Sequence, residues 1–370
     1  MSPRAAIYLG MISGTSADGI DAALVSFDPA IEVLAASMTP YPAEIRARLL
    51  ALTTPSATIS LDEFGALDVA VGHCFADAAC ALLAEHGQVA GSVRAIGSHG
   101  QTVRHRPAGM HPFSLQIGDA SVIAERTGIE TVSDFRRADI AAGGQGAPLA
   151  PAFHAALLVD RAPCAILNLG GIANLSLIDE WGGVLGFDTG PANCLLDAWH
   201  ERHFGTACDL DGRWASRGTV DEGVLSSLLE DPYFTAMTPK STGREQFNLA
   251  WLQPFLASKA REPADVQATL LALSARAIAD SLRVSGFAGS NVYACGGGVH
   301  NAALMAAIAH AINPLRIAST LAIGVDPDYV EAALFAWLAR ERVEGRPGNR
   351  VDVTGARGSR LLGAIHAAPR

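Results

Sequence analysis

Gly186-Phe187-Asp188-Thr189-Gly190-Pro191-Ala192-Asn193 joins two kinds of sequence. Before it, Val184 to Phe187 is a short apolar run that reads as the end of a strand. After it, Leu195, Leu196, Ala198 and Trp199 recur at helical spacing. An aspartate leaving a strand at a Gly-Pro turn stands beside a helix N-terminus, facing the crevice where α/β folds take ligands. Fixed backbone, partial desolvation and room for a ligand would suit Asp188 to general-base work. The same position suits an aspartate that merely caps a helix starting near Pro191. Taken alone, the octet leaves those readings even.

The whole chain narrows the field. Its 370 residues are 49% hydrophobic and 17% charged, which fits an α/β enzyme with a large core and excludes a disordered protein. Two domains are expected at this length, and the small-residue run from Ala141 to Pro148 puts their boundary near it: residues 1–135 and 136–370, with the last helix free to pack back on the first lobe. A net charge of −10 without any basic run argues against nucleic-acid or anionic-membrane partners. No uninterrupted apolar stretch nears the roughly 20 residues of a membrane span. The N-terminus runs directly into a strand-like segment without a signal-peptide pattern, so a cytoplasmic protein is expected. The six cysteines are scattered, without a C-x-x-C pair, and read as buried small hydrophobes. The only lysines are Lys240 and Lys259, neither in a glycine-rich loop. Phosphates would therefore fall to arginines, backbone amides and a metal ion, and a P-loop lysine is excluded.

Taken in order, the chain opens on a three-stranded meander, with strands at Ala5–Ile12, Ile20–Phe27 and Ile31–Thr39. The Ser13–Gly19 turn offers amides and hydroxyls to an anion and, at Asp18, a carboxylate to Mg²⁺. An ordinary polar turn would look the same. Helices follow at Pro42–Leu52 and Leu61–Glu85; on the second, Phe64, Leu67, Val71, Phe75 and Ala78 share a face. Val93–Ile96 is a strand that delivers the polar loop Gly97–Thr102. His99, His105 and His111 invite a metal reading, but neither helix nor strand puts all three on one side. Arg136 could fork onto a substrate carboxylate, or pair with Asp134 or Asp139 on the surface. Phe135–Gly144 reads as a hinge.

The second half repeats the first. Cys164–Leu169, a Gly170-Gly171 turn, Asn174–Ile178 and Val184–Phe187 echo strand, turn, strand, strand, with Asn168 and Asn174 flanking the turn. A final strand at Asn291–Ala294 empties into Cys295-Gly296-Gly297-Gly298-Val299-His300-Asn301 before a helix, a pattern that allows close backbone contact with a nucleotide. Plain tight turns share it. The tail from Arg342 reads as basic and partly loose.

Six ordered motifs, SGTSADGID at 13–21, GSHGQTVRHR at 97–106, SDFRRADIAAGGQGAP at 133–148, NLGGIAN at 168–174, GFDTGPAN at 186–193 and ACGGGVHN at 294–301, together resemble the 1,6-anhydro-N-acetylmuramic acid kinases. The resemblance spans about residues 7–340. It implies a two-lobed α/β fold of the actin-like ATPase class, duplicated ribonuclease H-like domains with an interlobe cleft. It implies ATP and Mg²⁺, a sugar substrate and a homodimer. By motif match, Gly14, Thr15, Ser16, Ala17, Asp18, Gly19, Ile20 and Asp21 correspond to the first phosphate loop. Asn168, Gly170, Gly171 and Asn174 correspond to the second, and Gly296, Gly297, Gly298 and Asn301 to the adenosine end. Asp188 matches the catalytic base, and Thr102, Arg136 and Glu331 the sugar contacts. Ala192 departs from the pattern, standing where the family often has glycine. The expected reaction is ATP-dependent opening of the anhydro sugar with phosphorylation of O6. A kinase of the same fold acting on a hexosamine is the alternative.

Overall fold

The computed structural model describes residues 7–14, 16–54, 56–238, 240–257 and 260–369; Thr15 and Lys259 fall outside them. The chain divides into two compact units, Met1–Phe153 with Tyr329–Arg370, and His154–Asp328.

The first unit begins with strands β1 (Ile7–Ser13), β2 (Gly19–Ser26) and β3 (Glu32–Pro40), followed by helices α1 (Ala43–Thr53) and α2 (Leu61–Glu85). It continues with β4 (Val93–Arg106), β5 (Phe113–Ile117), α3 (Ala120–Thr127), β6 (Thr131–Ser133), α4 (Arg137–Ala141) and α5 (Ala150–Leu157), whose end crosses into the second unit. β1, β2 and β3 form an antiparallel meander; β4 runs parallel to β1, and β6 parallel to β4. Parallel pairing of β1 with β4 needs a long crossover, which α1 and α2 supply. α2 starts where Ser60 and Glu63 form a reciprocal capping box. Its face of Leu67, Val71, Phe75 and Ala78 is fully buried, with Phe64 packed at its edge. By length and composition alone α2 is also the one helix among the described residues apolar enough to cross a membrane.

The second unit holds β7 (Cys164–Leu169), β8 (Ile172–Ile178), β9 (Val184–Pro191), α6 (Asn193–Phe204), α7 (Glu222–Leu229), α8 (Pro232–Thr235), α9 (Leu249–Leu256), α10 (Pro263–Val284), β10 (Asn291–Cys295), α11 (Ala302–Ala311) and β11 (Arg316–Ser319). Its sheet runs β11-β10-β7-β8-β9. β7, β8 and β9 are an antiparallel meander, and β10 and β11 add in parallel. The first sheet has the same order from β3 to β6. A ribonuclease H-like sheet thus occurs twice, as in the actin-like ATPases.

The chain returns to the first unit with α12 (Val330–Val343), α13 (Val351–Thr354) and β12 (Ala364–His366), which pairs with β6. α12 lies on β1 and β4. It can approach because Gly10 and Gly97 have no side chain: a Cβ on Gly10 would strike the Ala332 carbonyl, and one on Gly97 the Phe335 carbonyl.

Three expectations change. The units divide after Phe153 and after Asp328 rather than at 135–136, because 136–153 and the C-terminal segment fold onto the first sheet; Phe135–Gly144 lies inside the first unit, at α4. Gly97–Thr102 is no loop but the middle of β4, paired on one side with β1 and further along with β5. The tail is ordered: Asn349 Nδ2 and Thr354 Oγ1 each donate to the buried Asp139 Oδ1, both at 2.7 Å.

Gly97→Ala should lose roughly 1–3 kcal/mol to overpacking under α12. Gly65→Ala, in the exposed face of α2 with nothing within 4 Å of its Cβ, should gain about 0.5–1 kcal/mol. Urea unfolding of the two variants should move in opposite directions.

Candidate active site

Asp188 does not cap a helix. It lies within β9, while α6 starts at Asn193 with Ala192 as its N-cap and no side-chain cap bond. It pairs with Asn174 across a bulge in the β8–β9 ladder. A connection between α8 and α9 then grips it. Asp188 N–H donates to Lys240 O (2.9 Å), Tyr233 Oη donates to Asp188 O (2.8 Å), and Thr242 N–H donates to Asp188 Oδ2 (3.0 Å). Oδ1 has no hydrogen bond among the described residues. Burial raises the carboxyl pKa above its ordinary 3.8, and the Thr242 amide only partly offsets this. The Tyr233 hydroxyl, also shifted upward by burial and by Asp188, stays a donor.

Close to this acid stands the Gly170-Gly171 turn. Its carbonyls accept from the start of α6: Ala192 N–H and Cys194 N–H on Gly171 O (both 3.0 Å), and Asn193 N–H on Gly170 O (3.1 Å). Asn193 Nδ2 adds bonds to Leu169 O and Gly170 O, both 2.9 Å. With its carbonyls tied back, the turn leaves its own amides for another acceptor. Asn168 and Asn174 face each other in the β7–β8 register. Asn168 Oδ1 lies against Gly296, and Gly298 packs on Leu169 and Asn193, so the Gly170-Gly171 turn and the triple-glycine turn come together. Gly297 is open, with nothing within 4 Å of its Cβ position. Asn301 spends its Oδ1 on capping α11 through Leu304 N–H (2.9 Å).

In the first unit, the turn between β1 and β2 is braced from below. Ser13 Oγ donates to Gln101 Oε1 (2.6 Å), and Gln101 Nε2 donates to Gly14 O (3.1 Å). Ala17 and Ile20 belong to the core, while Gly14 and Ser16 are exposed; Thr15 lies outside the described residues. Asp21 sits in β2 opposite Ile12, and Gly19 opens that strand. Asp18 Oδ1 accepts from Arg46 Nη2 at 2.6 Å. No group of three metal-ligating side chains converges among the described residues. Mg²⁺ commonly takes one or two protein carboxylates and the rest of its shell from phosphates and water. Asp18, an exposed carboxylate in such a turn, fits that share if it releases Arg46.

Arg136 joins none of the acids expected of a surface pair: Arg137 contacts Asp134 at 3.5 Å, and Asp139 is engaged by the tail. Arg136 Nη1 instead donates to Gly146 O (2.8 Å) and its Nε to His99 Nε2 (3.0 Å). A guanidinium can only donate, so Nε2 is the acceptor and Nδ1–H faces Gly100 O at 3.0 Å. Burial holds the His99 pKa well below its usual value, with Arg136 adding to the shift, and keeps that tautomer neutral. Its ring lies 4.5 Å from Phe335. Glu331, in the first turn of α12, keeps accessible surface yet is crowded enough that its carboxyl pKa rises, with Arg136 pulling the other way. Thr102 Oγ1 accepts from Gln116 Nε2 (3.0 Å). His105 bonds Ser114 Oγ at 3.1 Å, and among the described residues the histidines gather into no metal-ligating group.

The sequence reading missed Tyr233, Lys240, Thr242 and Arg244. Their segment has no hydrophobic period; the one signal was a lysine in a chain almost without them. Lys240 Nζ donates to Tyr233 O (2.9 Å) and Phe234 O (3.1 Å), so it braces the segment.

A duplicated ribonuclease H-like sheet, glycine turns in place of a lysine loop, and one acid with a raised pKa and an unbonded oxygen are the equipment of a sugar kinase. The relatives say which kind. The family model for anhydro-N-acetylmuramic acid kinase matches residues 6–368. Proteins of that description from Xanthomonas campestris pv. campestris and Xylella fastidiosa are 53% and 52% identical, each match covering 98% of this chain and 97% of the relative. One from Coxiella burnetii is 48% identical over 97% of both chains. The chain belongs to the anhydro-N-acetylmuramic acid kinase family.

Gln101→Leu would strand the buried Ser13 hydroxyl and remove a donor from Gly14 O, at a cost of about 1–3 kcal/mol. Denaturant unfolding should show that loss.

Proposed function

We propose that this protein uses ATP to open 1,6-anhydro-N-acetylmuramic acid hydrolytically and to phosphorylate O6. The product is N-acetylmuramic acid 6-phosphate, as needed for recycling peptidoglycan. One observation carries the chemistry: Asp188 is held by its backbone and by Oδ2, while Oδ1 remains available on a carboxyl whose pKa burial has raised. Asp188 takes a proton from water, which attacks C1. The C1–O6 bond breaks with its electron pair on O6, and O6 takes the γ-phosphoryl group as ADP departs. The proton on Asp188 returns to solvent.

Arg136 is suited to the lactyl carboxylate of the sugar, since it stays charged under all ordinary conditions and His99 and Gly146 fix its plane. Thr102 and Glu331 are the proposed partners of sugar hydroxyls. The amides of Gly14 and Ser16 and of Gly170 and Gly171 serve the phosphates, and Gly296, Gly297 and Gly298 the adenosine end. Ala17 and Ile20, being in the core, shape their loop rather than touch nucleotide. Mg²⁺ offsets phosphate charge when bound, with Asp18 as its protein ligand. We further propose a cytoplasmic homodimer, and the net charge of −10 disfavours nucleic-acid or anionic-membrane partners.

Asp188→Asn should lower turnover by about 10²–10⁴-fold while sugar and nucleotide still bind, because a positioned base contributes that much. Near-normal turnover would remove the assignment. In ¹⁸O-labelled water the label should enter at C1; unlabelled product would mean that O6 is phosphorylated by another route, and turnover of N-acetylglucosamine instead would favour the hexosamine reading.

Activity needs ionised Asp188, and its folded pKa is raised. The acid limb of the kcat/KM profile should therefore fall as pH drops through a value above 3.8, the ordinary aspartate figure. A limb at or below that figure contradicts the base role.

A further inference from the structure

Arg244 is the cation that this lysine-poor chain aims at its second phosphate turn. It sits two residues after Thr242, whose amide holds Asp188 Oδ2 at 3.0 Å. Its guanidinium lies on Gly171: a Cβ there would stand 2.8 Å from Arg244 Nε and 2.9 Å from Nη2. The side chain is exposed, and its guanidinium makes no hydrogen bond or ion pair among the described residues. It does act at a distance, lowering the pKa of Asp197 and Cys194 against the stronger effect of their burial. The arginines elsewhere in this unit that approach an acid, Arg213, Arg261, Arg276 and Arg283, are engaged with Asp211, Asp221 and Asp280.

We propose that Arg244 is a catalytic residue that binds the transferring γ-phosphoryl group. This rests on the kinase reading above and names the group that replaces a phosphate-loop lysine. A guanidinium fork suits two phosphoryl oxygens. Placed on the Gly170-Gly171 turn, it meets the anion that the turn's amides would hold. Because one short segment carries both Thr242 and Arg244, the group holding the base and the group meeting the phosphoryl are set in a fixed relation. The other role open to an arginine here is to pair with the sugar carboxylate, and the two differ in what their loss does.

The experiment compares wild type with Arg244→Gln and Arg244→Lys, after circular dichroism has shown that both fold. It reads kcat and KM on the anhydro sugar, and calorimetric affinities for ADP and for a non-hydrolysable ATP analogue. For Arg244→Gln, kcat should fall about 10²–10³-fold, the usual cost of removing one donor to transition-state charge. Affinity for the triphosphate analogue should fall about tenfold or more, as for a lost charged hydrogen bond, with ADP affinity and sugar KM little changed. Arg244→Lys, which keeps the charge but not the fork, should fall between. An unchanged kcat, equal losses for ADP and the triphosphate, or a raised sugar KM at normal kcat would each overturn the proposal; the last would assign Arg244 to the sugar carboxylate. If wild type instead phosphorylates N-acetylglucosamine, the substrate reading fails, and the same comparison on that acceptor still decides Arg244.

Discussion

A half-buried carboxylate without a cation beside it is costly, and the fold around Asp188 accepts that cost. Pairing it with Lys240 would have been the simple remedy. Instead the ammonium is drawn aside to the carbonyls of Tyr233 and Phe234, and lies 4.6 Å from the centre of the Tyr233 ring. A cation against the carboxyl would have lowered its pKa; the neutral Thr242 amide holds one oxygen and only partly offsets the rise caused by burial. The backbone bonds to Lys240 O and from Tyr233 Oη then supply the rigidity that an ion pair would otherwise have given. Position and basicity are provided by separate groups, so neither is traded for the other.

Arg136 and His99 solve a related problem in the first unit. A guanidinium set among protein groups must find acceptors. The neutral imidazole and the Gly146 carbonyl accept from Nε and Nη1 without cancelling the charge. Nη2 makes no hydrogen bond among the described residues. The ring of Phe335 fixes the imidazole, and Gly97 lets the helix bearing Phe335 come close enough to do so. Glycine in the middle of β4 therefore serves the arginine through α12, although the two are 39 residues apart in sequence.

The meanders, the α2 face and the glycine turns were legible because each is a local pattern: period two, period 3.6, or residues that tolerate sharp turns. What stayed hidden depends on remote partners. Gly97–Thr102 looks like a loop by composition and is a strand because β1 and β5 pair with it. The tail looks loose and is fixed because Asp139, some 210 residues earlier, needs the donors that Asn349 and Thr354 bring. The boundary between the units moves because 136–153 joins the first unit, whereas the return of the last helix to that unit was expected. Asp188 was visible as an acid at a strand end, but the segment that tunes it was not.

The two copies of the sheet show why that segment matters. In the first, β1 and β2 are joined by five residues, 14–18, leaving a broad turn braced by Gln101. In the second, β7 and β8 are joined by Gly170 and Gly171 alone. The crossovers differ more. Between β3 and β4 the chain makes two helices; between β9 and β10 it makes five, α6 to α10, with Tyr233 on α8 and the irregular stretch carrying Lys240, Thr242 and Arg244 between α8 and α9. A crossover helix is required to return the chain for parallel pairing, but nothing in the topology requires this addition. Its bonds go to the end of β9 and its arginine to the β7–β8 turn. The shared sheet order thus provides the position for an acid, and the residues added to one crossover fix that acid's orientation and set an arginine on the neighbouring glycine turn.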